Sequence, residues 1–485
     1  MRLSSDFKLE SLLFVAFFVT IPIYSPNIVM FRDGLGGNET LMPFFVGAML
    51  TTATLVGILF AWLAARRSGN FAFDKRVVIA SALAYLMGFV LFVATLAFPD
   101  FGSPFTAVGA GLLLGASTVE LCIAWGAYLA MYDLRQALLA LAMMVGMGSV
   151  IELLLSTTAI QVGLVVFAVL ALVGVAFPCV QAVQGNMVFP DIHIEHASKP
   201  AKRQGSFRLS VLRMTQVLGV PFVGLLVFAF IMGVRKFMIF DVIYVETFGG
   251  IIGAILVSPL FFVRSSRPLL PLIYQVLVPL FALVLIVCNS FSEGSVPLWF
   301  AAWLSYVFYG VVSVLALASL CGMAHAREFS ATLIYGLTVG CFSAISLLGI
   351  VCGSTPLFQD ASSGPILLVV STCYFAFLIA VPLVSAWKRQ GIETDDLKPY
   401  EAGVEQDGDA VGVSIAKRCD DMAVSHGLSP RETEILGYLG RGHGVVFIAK
   451  TLVISESTVR THVKSIYKKL GVNSREELLG RVNAE

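Results

Sequence analysis

The chain has 485 residues, of which 58% are hydrophobic and only 13% charged, with a formal net charge of +1. Soluble domains sit nearer half apolar and a quarter charged, so this composition excludes an ordinary soluble domain and points to a polytopic membrane protein. The near-zero net charge hides an uneven spread, with charge concentrated toward residues 387–485.

A helical span needs about 20 apolar residues. Twelve such runs can be drawn, near 9–30, 41–65, 77–98, 105–131, 137–157, 160–183, 211–234, 239–262, 269–290, 298–323, 331–353 and 365–386. They are continuous rather than alternating, which predicts helices rather than barrel strands. The first run is too long for the core of a cleaved signal peptide and shows no cleavage site, so it is expected to stay as a span. With the N-terminus cytoplasmic, the segments between spans place 16 Lys and Arg residues on the cytoplasmic side and Arg32, Arg235 and Lys236 on the other. That asymmetry predicts N- and C-termini both in the cytoplasm.

The longest segment between spans, residues 184–210, is basic and divides the runs six and six. This 6+6 layout resembles the major facilitator superfamily. Between the second and third runs, "WLAARRSGNFAFDKR" (62–76) holds the place of that family's Gly-x-x-x-Asp-Arg/Lys-x-Gly-type signature, with Gly69 and the bases present but the early acid missing. The resemblance implies a twelve-helix body, while the departure leaves transport open.

Ionisable residues inside spans are costly and therefore mark ligand pathways or interhelical bonds. Glu120 in "GASTVELCIAWGAY" and Glu152 in "GSVIELLLS" are the ligand-cavity candidates; Arg213, Asp241 and Glu246 fall nearer span ends. Seven of the eight cysteines lie in apolar runs and none forms a CxxC pair, so they read as packing residues. His193 and His196 have no third ligand in sight, and no metal or other cofactor is expected.

Residues 387–413 lose apolar periodicity and gain Asp, Glu and Gly, as a tether does. Residues 414–427 can form a short helix with Ile415, Cys419 and Met422 on one face and Gly427 as its stop. From Leu428, Ser429 followed by Pro430 and Glu432 spells a capping box. A second helix is expected near 445–452. A third, after Ser455, carries Val459, Val463, Ile466, Tyr467 and Leu470 on one face and Arg460, Thr461, Lys464 and Lys468 on the other. A fourth is expected near 474–482. This order, with a brace helix and then a basic one, is the helix-turn-helix arrangement.

The runs "LSPRETEIL", "IAKTLVISESTVRTHVKSIYKKLGV" and "SREELL" resemble the LuxR-type (GerE-like) DNA-binding domain. The resemblance implies that Arg460 and Lys464 read bases in the major groove, with Thr461 beside them, and that Thr458, His462 and Lys468 sit near phosphates. It also implies homodimers on double-stranded DNA. Glu432 matches a structural acid of the family. Residues 444–447, "GVVF", replace the polar residues the family usually has before "IA".

The expected fold is all-α: a twelve-helix membrane domain over 1–386, a linker over 387–427, and a four-helix LuxR-type head over 428–485. The expected function is a membrane-bound one-component transcription regulator of the bacterial inner membrane, with the lipid bilayer, promoter DNA and an unknown small-molecule ligand as partners. The alternative is a transporter with a fused regulatory head. No nucleophile elbow or phosphate-binding glycine loop points to an enzyme.

Overall fold

The computed structural model describes residues 9–22, 39–66, 69–132, 134–185, 242–261, 296–325, 329–355, 418–441, 443–452, 456–472 and 474–483, with isolated positions between. The expected spans 269–290 and 365–386, most of 211–234, the histidines of 184–210 and the tether 387–413 lie outside the described residues.

Among the described residues the body contains α1 (Phe14–Thr20), α2 (Met42–Arg66), α3 (Lys75–Ala97), α4 (Pro104–Leu129), α5 (Leu134–Ser156), α6 (Ile160–Val183), α7 (Val242–Val257), α8 (Val296–His325) and α9 (Ala331–Gly353). Several starts are written in the local sequence. Asp74 caps α3 through the Arg76 amide, Ser103 and Thr106 form a capping box ahead of Pro104 in α4, and Ser330 caps α9 through Leu333. Six helices among the described residues are long and apolar enough to cross a bilayer: α2, α3, α4, Gln136–Ser156 of α5, α6 and α9.

Small residues bring these helices close, as packing in lipid requires. A Cβ on Gly57 of α2 would stand 2.6 Å from the Gly336 carbonyl oxygen and 2.8 Å from the Gly340 Cα, so α2 and α9 touch backbone to backbone. Gly111 of α4 likewise meets the Phe45 carbonyl of α2. The other faces of α4 carry aromatics. Trp125 donates its indole N–H to the Gly174 carbonyl of α6 at 2.9 Å and stacks on Phe177 at 5.0 Å between ring centres. Tyr85 of α3 donates to the Thr20 carbonyl of α1 at 2.7 Å. These bonds satisfy the polar tips of large buried rings and tie α1, α3, α4 and α6 into one bundle.

The head has its own core. Residues 418–425 are helical, followed by α10 (Pro430–Gly440), α11 (Val445–Thr451), α12 (Glu456–Leu470) and α13 (Arg475–Asn483). Cys419, Ile435, Leu436, Leu439, Ile448, Val459, Val463, Ile466, Leu470 and Leu478 pack together. Gly427 (φ 63°) and Gly471 (φ 66°) occupy the left-handed region where the chain leaves a helix, a conformation that a side chain would strain. Helix α10 ends at Gly440, and Gly444 stands as the N-cap of α11.

Candidate nucleic-acid interface and buried polar groups

The basic helix of the head is built from two opposed stripes. Val459, Val463, Ile466 and Leu470 are buried against α10 and α11. Arg460, Thr461, Lys464 and Lys468 are exposed and recur at helical spacing, so they form one outward stripe. Thr458 is half-buried at its N-terminal end. Lys468 and Lys469 sit in the last turn, where the helix dipole favours cations.

His462 departs from expectation. It is only 8% exposed, because position 462 falls beside Val459, Val463 and Ile466 on the packed side of the helix. A direct phosphate contact needs an open side chain, so of the six residues His462 is the least available for one.

The angle between α10 and α12 is held by a group that sequence reasoning only half identified. Glu432 completes the capping box by accepting from the Ser429 amide at 2.7 Å. The same carboxylate accepts from Ser465 Oγ at 2.6 Å and from Lys469 Nζ at 2.5 Å, both on α12. Burial alone would push its pKa up, but the Lys469, Ser429 and Ser465 hydrogen bonds together outweigh it and hold the carboxyl below the usual range. Lys469 was legible only as one more base in "YKKL"; its spacing of four from Ser465 is the signal that places both on the Glu432 side. Arg481 of α13 closes the far end by donating to the Leu470 carbonyl at 2.6 Å.

The brace helix begins apolar, as "GVVF" suggested. Val445 is buried, whereas Phe447 is 45% exposed and stacks on His443 at 4.1 Å with rings 14° from parallel. Burial, with Arg441 and Arg475 nearby, lowers the His443 pKa.

In the body, Glu120 is buried, at 1% exposed. Its electrostatic neighbours are Ser81 of α3 and Cys179 of α6. It therefore faces α3 and α6, and lies about 120° around α4 from Gly126, the position that meets Tyr335 of α9. Glu152 of α5 is buried and already engaged.

Residues 426–481 match the family model for bacterial regulatory proteins of the luxR family. The C-terminal segment carries a LuxR-family helix-turn-helix domain. Over 68 residues the chain is 43% identical to a probable HTH-type transcriptional regulator, GfsR, of Streptomyces halstedii, covering 14% of this chain and 28% of that protein. Over 48 residues it is 46% identical to a probable transcriptional regulatory protein, NarL, of Mycobacterium tuberculosis (strain CDC 1551 / Oshkosh), covering 10% and 22% respectively. The chain thus spans about a quarter of the length of the curated relatives it matches. Among solved structures, the crystal structure of the human organic anion transporter MFSD10 (TETRAN) aligns over 76% of this chain and 96% of its own, at 14% identity and a TM-score of 0.43.

Proposed function

We propose that the chain is a membrane-bound one-component transcription regulator, in which a twelve-span body, laid out like the major facilitator superfamily, senses a small molecule or a membrane state and the head binds promoter DNA. One observation carries this reading: a closed helix-turn-helix core presents an outward stripe of Arg460, Thr461, Lys464 and Lys468 on a chain that also holds six helices of membrane-crossing length. Arg460 and Lys464, with Thr461, reach base edges; Thr458 and Lys468 neutralise phosphates. His462 supports that surface from within. A head this small makes few such contacts, so two copies act on paired half-sites. The body lies in the bacterial inner membrane with both termini in the cytoplasm, and residues 387–427 link it to the head at 428–485, with Cys419 of the linker's short helix packed into the head core. Glu120 serves as a polar binding group among α3, α4 and α6.

A signal must bind one arrangement of the body better than another, or it shifts nothing. The test is genome-wide mapping of the DNA bound by the full chain, alongside a chain ending at Ala386. Discrete promoter sites bound by the first and lost in the second support the reading. Promoter control retained without the head would overturn it.

A further inference from the structure

We infer that the ring cluster of Tyr438, His443 and Phe447, with Arg441 and Arg475 beside it, is a docking surface of the head for the anionic face of a bilayer. The inference rests on the reading of the body as membrane-spanning, and gives the head a second, non-covalent attachment to that membrane.

Three helices build the patch. Tyr438, near the end of α10, accepts the His443 amide on its carbonyl at 3.0 Å, which folds the segment between α10 and α11 back toward it. The two rings stand 5.9 Å apart between centres. Phe447, in the first turn of α11, stacks on His443 at 4.1 Å and lies 6.3 Å from Tyr438. Arg441 is the residue that caps the end of α10, and Arg475 opens α13; both are near enough to His443 to act on its charge. Val445 and Ile448 on either side of Phe447 are buried in the core, so their packing holds the Phe447 ring outward, 45% exposed. Burial and the two arginines keep the His443 pKa below its ordinary value, so at neutral pH the stack is uncharged and presents an apolar face.

Charge complementarity favours lipid as the occupant. An apolar ring flanked by guanidinium groups suits the headgroup region, where the ring reaches the acyl boundary and the arginines meet lipid phosphates. Exposed acids on the same helices are engaged elsewhere, Glu434 with Arg431 and Glu477 with Arg481. Asp420, which acts with Arg441 on the Cys419 thiol, is an acid that shares a neighbour with the patch, and two arginines stand against it. The α12 stripe of Arg460, Thr461, Lys464 and Lys468 is different in kind, with charge and no ring. One ring and two arginines hold lipid weakly by themselves. Residues 387–413 read in sequence as a tether, however, and a flexible chain of that length spans about 30 Å on average, so the leaflet is always at high effective concentration.

Residues 414–485 hold the whole core of the head and contain no tryptophan, so Phe447→Trp puts a single reporter where a ring already stands. The fragment carries an N-terminal histidine tag and is held on vesicles by a nickel-chelating lipid in place of the tether. The vesicles are phosphatidylcholine with or without phosphatidylglycerol, and include a lipid with a nitroxide high on its acyl chain. Circular dichroism checks that each variant is folded. The Phe447→Trp reporter should shift to the blue and be quenched on phosphatidylglycerol vesicles, and much less on phosphatidylcholine alone. Adding Arg441→Ser should lower the ratio of docked to free head about fivefold, the share of one base near an anionic surface. Thr461→Trp in an otherwise unchanged fragment is the reference on the α12 stripe, and should stay unquenched. Quenching there equal to or above that of Phe447→Trp would mean that charge alone draws the stripe to lipid, and would overturn the proposal. So would a folded Phe447→Trp head that is not quenched, or one whose reporter answers to duplex DNA and not to nitroxide lipid. The vesicles probe the head alone, so this result and the promoter mapping of the full chain stand or fall separately.

Discussion

Lys469 reaches from the basic helix of the head to the Glu432 carboxylate at 2.5 Å, and so ties α12 to the capping box of α10. The basic helix is thereby oriented by a charge pair that is itself part of a helix start.

Glu432→Gln should destabilise the head by about 1–3 kcal/mol, the range for a buried acceptor that loses charge-assisted donors. The pH dependence has a definite sign. The folded pKa is lowered, so the interaction contributes fully above the unfolded value, about pH 4.3, and is lost as pH falls through the lower folded value. Urea titrations of residues 414–485, which contain their own core, should therefore show acid destabilisation in the parent that is weaker in Glu432→Gln. Parallel pH profiles would show that the carboxylate carries no such linkage.

Arg460→Ala and Lys464→Ala should each weaken specific binding of the same fragment by about 1–3 kcal/mol and relax discrimination at their own base positions. Lys468→Ala should instead weaken binding to all sequences alike and reduce the salt slope by about one phosphate equivalent. Footprinting at two salt concentrations separates these outcomes. Arg460→Ala and Lys464→Ala footprints identical to the parent would mean that another face meets DNA.

Much of the head was legible because its signals are local. Ser429, Pro430 and Glu432 announce a helix start, and the apolar and basic stripes of 459–470 follow one period. Lys469 was not separable from Lys468, since only the tertiary partner distinguishes two adjacent bases. The body was legible as helices but not as faces. Helix α4 is apolar nearly all round, so no stripe in its sequence tells that Gly126 meets α9 while Glu120 meets α3 and α6.

Gly57→Ala should destabilise the full chain in detergent by about 1–3 kcal/mol, as overpacking does, because the obstacles are the backbone of Gly336 and Gly340 rather than a side chain that can swing away. Gly47 lies on the same helix with nothing within 4 Å of its would-be Cβ. Gly47→Ala should be neutral or slightly stabilising, since alanine suits a helix better. Thermal unfolding of the two variants side by side checks the α2 and α9 contact. Equal melting temperatures would mean the two helices do not touch there.

Phe447→Lys tests what the apolar start of the brace helix means for DNA. Phe447 is exposed and rests on His443 with Tyr438 beside it, so replacing it removes two ring contacts and leaves the core residues Val445 and Ile448 in place. The fold should survive with a loss of about 1 kcal/mol or less. A cation at the exposed start of α11 should then restore a phosphate contact of the kind polar residues make there in the resembling family. That adds one released counterion and steepens the logarithmic salt dependence of binding by about one unit. Sequence discrimination should not change, because Arg460 and Lys464 are untouched. An unchanged salt slope in a folded Phe447→Lys head would mean that this end of α11 faces away from the duplex, and that the stacked Phe447 and His443 belong to a surface outside the DNA interface.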